Sequence, residues 1–370
     1  MKPPWPTKKL GEVCELVRGS EPGSESYFDK MNEERIRFIR VGDISGKVDQ
    51  LKFVYKNLAN LIIVNPDEIL ISFDGTPGIV TKGWSGAIAS GIRVIRNIKP
   101  EILKEFLFYY LQTSEPQKVI KFYTTGVTIL HASRAIPHIK IPLPPLKVQQ
   151  KIVKRLDAIK KAQKLNDEQI ELAEELFKSL LHRELDPKGK NWEVKKLVDL
   201  AEFLDNQRIP LNEEERAKRK GSYPYYGATG ILDWIDDYIF DGEFVLLAED
   251  GGPFFEKDKS VAYRVSGKCW VNNHAHVLKA KKLVDIDFLG YSLMFMDLTS
   301  YLTGSTRAKL NKSRAEKIKI PLPPLETQQK IVEKLSAVQE YKKKLLDQKQ
   351  KLQELFESVL NKSFKGEWVG

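Results

Sequence analysis

The residues best equipped for chemistry gather in two short stretches, Gly304 to Arg314 (GSTRAKLNKSR) and Gly126 to Arg134 (GVTILHASR). Lys and Arg neutralise phosphates, and Asn or Arg can read base edges, so such stretches suit a nucleic acid. The plain alternative is a solvated connection whose Ser and Arg pair locally. Tyr223, Tyr225, Tyr226 and Gly227 form an aromatic turn, matched loosely by Arg40, Val41 and Gly42 in the first half. That turn suits either sugar-phosphate contact or packing, and packing is the better expectation for the tyrosines. Asp74-Gly75 and Asp250-Gly251-Gly252 follow apolar runs and read mainly as turns. Val271 to Leu278 alternates as a strand would, placing His274 and His276 on one face. Without carboxylate or cysteine ligands at good spacing, that pair does not predict a metal site. Cys14 and Cys269 make no CxxC pair, which fits a reducing compartment and argues against a zinc framework.

Sequence motifs for catalysis on DNA are not found. Asn65-Pro66 runs into Asp67-Glu68 instead of an NPPF or NPPY motif, and Phe73-Asp74-Gly75-Thr76-Pro77 lacks the second glycine of an FxGxG cofactor loop. No GxxxxGK[ST] segment occurs, so ATP-driven translocation is expected elsewhere. The chain has 370 residues, a formal net charge of +10, 42% hydrophobic and 30% charged residues. That is a globular composition, long enough for two domains and basic enough for a polyanionic partner. The opening MKPPWPTKKLGEV has no apolar signal region, and runs such as Phe106 to Leu111 are too short to span a bilayer. The expectation is a cytoplasmic protein with no membrane contact.

An internal repeat supplies the elements that must position these loops. IPLPPLKVQQKIVKRL at 141–156 returns as IPLPPLETQQKIVEKL at 320–335, identical at twelve of sixteen positions, and LFKSLL at 176–181 returns as LFESVL at 355–360. Trp5, Lys8, Lys9 and Leu10 are echoed by Trp192, Lys195, Lys196 and Leu197, and the tail KGEWVG resembles KGKNWEV at 188–194, as though the end rejoined the beginning. Before each LPPL the sequence is mixed α/β. Glu68 to Phe73, Gly91 to Ile95 and Phe244 to Ala248 predict strands, and Phe106 to Leu111 predicts a helix.

After each LPPL a heptad seam begins. It runs through Ile152, Leu156, Ile159, Gln163, Asn166, Ile170, Ala173, Phe177 and Leu180, and again through Ile331, Leu335, Val338, Lys342, Leu345, Lys349, Leu352, Phe356 and Val359. Each helix would be about 57 Å long at 1.5 Å per residue, and neither can bury its stripe alone. The second domain must link the end of one helix to the start of the other, and a domain of this size has a radius of gyration of only about 14 Å, so the helices should pair antiparallel. The polar middle of the seam suits either register or partner docking. The fold class expected is α+β: two similar domains joined by two long helices in an antiparallel coiled coil, with a pseudo-two-fold. The bounds are residues 1–145 for the first domain, 146–183 for the first helix, 184–324 for linker and second domain, and 325–370 for the second helix and tail.

These duplicated IPLPPLxxQQKIVxxL segments, each closing an α+β domain and opening a long helix, resemble the specificity subunit of type I restriction-modification systems. The likeness covers the whole chain and extends to DDYIFDGEFVLLAEDGG at 236–252 and GKCWVNNHAHVLKA at 267–280. It implies two target-recognition domains, each reading one half of an asymmetric bipartite site on double-stranded DNA, with the helices setting their spacing and docking methyltransferase subunits. It implies no catalysis and no cofactor in this chain: S-adenosylmethionine belongs with the methyltransferase, and ATP and Mg with a restriction/translocase subunit. By the same resemblance, Thr128, His131, Ser133 and Arg134 in one loop, and Arg307, Lys309, Asn311 and Lys312 in the other, are candidate DNA contacts, joined by Arg40 and Tyr226. Two other classes stay open on the residues alone, a coiled-coil adaptor that does not read DNA and a DNA methyltransferase in its own right.

Overall fold

The computed structural model describes residues 5–47, 50–256, 260–304 and 308–367, with the Ser24 side chain left aside. The chain divides into two compact units, Met1–Asp167 with Asp347–Gly370, and Glu168–Leu346. Both divisions fall inside the long helices, Leu146–Leu185 and Leu325–Lys365. No described helix is long and apolar enough to cross a membrane.

In the first unit, strands Glu15–Arg18, Ile92–Arg96, Ile69–Ser72 and Val80–Thr81 make one antiparallel sheet in that order. A second sheet orders Lys52–Tyr55, Arg35–Ile39, Gly86–Ile88 and Ile63–Val64, with Arg35–Ile39 and Gly86–Ile88 parallel. Ile69 to Ser72 are all buried, because that strand is covered on both faces. Helices Lys104–Leu111 and Ser114–Phe122 close one side, with Phe106, Leu107 and Leu111 in the core.

The C-terminal part of the second long helix completes this core. Phe356, Val359, Leu360 and Phe364 are buried there, and the Phe364 ring lies 4.9 Å from Phe106 and 5.3 Å from Tyr110. It runs antiparallel to the first part of the first long helix: Asp167 pairs with Lys349 at 2.8 Å, Gln163 Nε2 donates to Leu352 O at 3.3 Å, and Lys160 sits over Phe356 at 4.2 Å. The polar middle of the seam thus makes register-fixing contacts between helices.

The second unit has a sheet ordered Ala201–Phe203, Ala275–Ala280, Phe240–Ala248, Ala262–Val271, Lys220–Gly227 and Gly230–Ile235. Its neighbours are antiparallel except Lys220–Gly227 with Ala262–Val271. Helix Ile286–Phe295, capped by the Asp285 carboxylate, buries Phe288, Leu289 and Leu293 against it. Leu181 and Leu185 of the first long helix enter the same core. Here too the helices are antiparallel, Glu174 pairing with Lys342 at 2.9 Å and Glu184 with Lys334 at 3.1 Å.

The repeat has a structural reason in each unit. Gln149 is fully buried; its amide donates to Glu101 O and Pro144 O at 2.9 Å each and accepts from Leu103 N at 2.8 Å. Gln328 does the same with Leu283 O, Pro323 O and Asp285 N. Each glutamine fastens the LPPL turn to the start of a domain helix. The entry strands pair just before it, Thr7–Lys9 with Lys140–Pro142 and Glu193–Lys196 with Lys319–Leu322.

Two expectations fail in this sheet. Tyr223 to Gly227 is not a turn but the end of the strand Lys220–Gly227, paired on both sides. Val271 to Leu278 is not a single strand: one strand ends at Val271 and the next begins at Ala275, both antiparallel to Phe240–Ala248, and between them the buried Asn272 Oδ1 accepts from His274 N at 2.8 Å. An Asx turn competes with the ladder and wins. His274 and His276 therefore do not share a strand face. Trp368, the aromatic of the tail echo, lies outside the described residues.

Candidate nucleic-acid interface

In the first unit the Gly126 loop is built onto the end of a central strand. Leu130–His131 pairs antiparallel with Asp74–Gly75, Ala132 N donates to Phe73 O at 2.7 Å, and Thr125 and His131 exchange backbone bonds of 2.9 and 2.7 Å. Gly126 is required here: its φ is +109°, and a Cβ would meet Ile129 O at 2.1 Å. Asp74 is the hub. One carboxylate oxygen lies 2.8 Å from His131 Nδ1, and the other lies 3.9 Å from Arg18 and 4.0 Å from Arg93. Arg93 is buried, donating to Ser90 O at 2.7 Å and to Ser133 Oγ at 3.1 Å. Burial lowers its pKa, Arg18 adds to the shift and Asp74 opposes it.

The second unit repeats the device with different side chains. Thr303 and Lys309 exchange backbone bonds of 2.8 Å, Leu310 N donates to Glu249 O at 2.7 Å, and Asp250 bridges to Lys309. Gly304 opens the loop at φ +86°. Asp250 takes Lys309 Nζ at 3.3 Å and the ring of His274. Burial would raise the Asp250 pKa, but the bonds from His274 and Lys309 outweigh it and hold the carboxyl below its usual value.

Beneath this loop lies a buried polar cluster. His276 Nδ1 faces Asp205 at 2.7 Å and Nε2 faces Leu310 O at 2.7 Å. The ring thus bridges the Asp205 carboxylate and the Leu310 carbonyl. Asp205 also takes Val277 N at 3.0 Å; burial works to raise its pKa, and His276, Arg208 and the backbone bond together lower it. Asp205, Glu249 and His276 lie close enough to suggest a metal site. Arg208 occupies the cation's role, 2.9 Å from Glu249 and 3.8 Å from Asp205.

His131 and Ser133 converge on Asp74 and Arg93, while Thr128 and Arg134 are exposed on the same loop and the turn after it. Lys309 is clasped by Asp250; Asn311 donates to Thr303 Oγ1 at 3.2 Å, and Lys312 lies over Phe203 at 5.6 Å. Arg307 lies outside the described residues. Arg40 is engaged internally, with Asp43 at 3.3 Å and Gln50 O at 2.6 Å, although its neighbour Val41 packs where Cβ atoms of Gly75 and Gly91 would be. Tyr226 is half-buried, its ring 5.9 Å from Tyr263. The Asp-Gly pairs are not themselves turns: Asp74–Gly75 pairs as a strand with Leu130–His131 and Asp250 bridges to Lys309, with Gly75 and Gly251 at φ +74° and +63°, and their aspartates anchor both loops. Arg18, Arg93, Asp205, Arg208 and Glu249 have no sequence signal beyond their types; the Asp-Gly pair after a strand in each half was the available clue to the aspartates.

The family profile described as "Type I restriction modification DNA specificity domain" matches residues 3–175 and 189–355. A Haemophilus influenzae protein named as a type I restriction enzyme specificity subunit is 41% identical over 40% of this chain, a stretch that spans 38% of that protein. The MjaVIII specificity subunit of Methanocaldococcus jannaschii is 26% identical over 97% of this chain and 90% of its own length. Among solved structures, the type I restriction-modification S subunit of M. genitalium superposes with a TM-score of 0.62 at 14% identity, covering 98% of this chain and 96% of that one. That likeness shows the fold.

Proposed function

Given that this chain belongs to the family of type I restriction modification DNA specificity domains, we propose that it is a non-catalytic DNA-reading subunit. Each unit reads one half of an asymmetric bipartite site on double-stranded DNA. The observation that carries this is the duplicated loop: both are closed by a reciprocal Thr-to-base backbone pair and held by an aspartate at the end of a central strand, while their sequences differ. Equal scaffolds with unequal tips suit an asymmetric target. The long helices, unbroken across both unit divisions, set the spacing and dock methyltransferase subunits. Methyl transfer from S-adenosylmethionine and ATP- and Mg-dependent cutting belong to the methyltransferase and restriction/translocase partners.

The test is binding of duplex DNA by the chain co-purified with a type I methyltransferase subunit. Affinity should fall steeply with added salt, because phosphate contacts release counterions. Absence of binding at low salt, or methyl transfer by the purified chain alone, would contradict the proposal.

A further inference from the structure

The tip of the first loop is apolar where a solvated connection would be polar. Val127 is 101% exposed and Ile129 57%, with Leu130 at 37%. Such exposure is costly, and turns ordinarily use Gly, Pro, Asn, Asp or Ser. The loop is also stiff. Gly126 turns tightly against Ile129 O, Thr125 and His131 close the stem, and Asp74 clasps His131. The segment itself is basic: from Pro116 to Pro145 the sequence has no Asp or Glu, and Lys121, Arg134 and Lys140 are exposed, while the nearby Asp74 is already engaged by His131, Arg18 and Arg93. A fixed apolar knob in a basic setting fits one partner, a polyanion that presents apolar groups in a groove. In duplex DNA those groups are the C5-methyls of thymine in the major groove.

We propose that Val127 and Ile129 are specificity-determining residues that read thymine methyl groups in the half-site taken by the first unit. This rests on the DNA-reading role above and gives it a chemical preference. The second loop has the polar sequence Ser305 to Lys309 at the corresponding place, so thymine-methyl reading belongs to one half-site only.

The complex of the full chain with its methyltransferase selects its target from a random duplex pool. That target is then synthesised with thymine or with uracil, which keeps the pairing and removes only the methyl. Wild-type complex should bind about fourfold more weakly for each contacted methyl removed, the factor one buried carbon group supplies. This loss should appear on substitution in one half-site and not in the other. The double variant V127S/I129S should bind the two duplexes equally, at the weaker level, with unchanged thermal unfolding since both side chains are exposed. The proposal is overturned if wild type ignores uracil in both half-sites, or if the variant weakens by the same factor on both duplexes. It is also overturned if the variant binds DNA normally but no longer retains the methyltransferase, which would make the tip a protein contact. A complex that selects no duplex at all removes the DNA-reading role itself and the inference with it.

Discussion

The buried ring of His276 donates from Nε2 to the carbonyl oxygen of Leu310 at 2.7 Å, tying a central strand to the stem of the second loop. Its other nitrogen is held by Asp205 at 2.7 Å. H276A leaves two acceptors short of a donor, one of them a largely buried carboxylate, and should cost about 3 kcal/mol. Urea unfolding measures the loss. H276N, able to keep one of the two bonds, should lose less.

The carboxylates of this unit give stability a definite pH dependence. Asp205 and Asp250 are both held below their usual pKa, burial being outweighed by His276 and Arg208 for one and by His274 and Lys309 for the other. A depressed folded-state pKa means stability that is present above the unfolded value, near 4, and lost as pH falls through the folded one. Unfolding followed from pH 6 down to pH 2 should show this acid limb. D250N should flatten it, and an unchanged limb in D205N and D250N would contradict the assignment.

The duplicated glutamines are structural anchors. Q149A and Q328A each strand backbone groups that the buried amide satisfies, and each should lower stability by about 2 kcal/mol. Because the two lie in different compact units, their effects should add in the double variant, as measured by thermal or urea unfolding.

The long helices are expected to act as the spacer. Adding four residues after Asp167 and four before Asp347 lengthens each helix by about 6 Å where the units divide. The preferred gap between half-sites should change, or assembly should fail; unaltered spacing with full activity would count against the role.

Much of this was legible in the residues. The heptad seams and LPPL turns gave the helix starts, because periodicity and proline act locally, and the short reach of the domain between the helices gave the antiparallel pairing seen within each unit. Gln149 and Gln328 lay inside the repeated segment, but two of the three backbone partners of each come from more than forty positions away and left no local trace. The turn at Asn272 was hidden by alternating apolar residues that suit a strand equally well. The hub role of Asp74 was masked because Asp-Gly is sufficiently explained as a turn, while its partners Arg18, Arg93 and His131 arrive from three separate segments.

The central claim is that each unit reads its own half-site. It is tested most directly by replacing Trp192 to Lys319 with the corresponding segment of a related subunit of different target, then mapping the sequence methylated by the complex. One half of the target should change and the other stay as it was. A change in both halves, or in neither with the complex still active, would contradict the account.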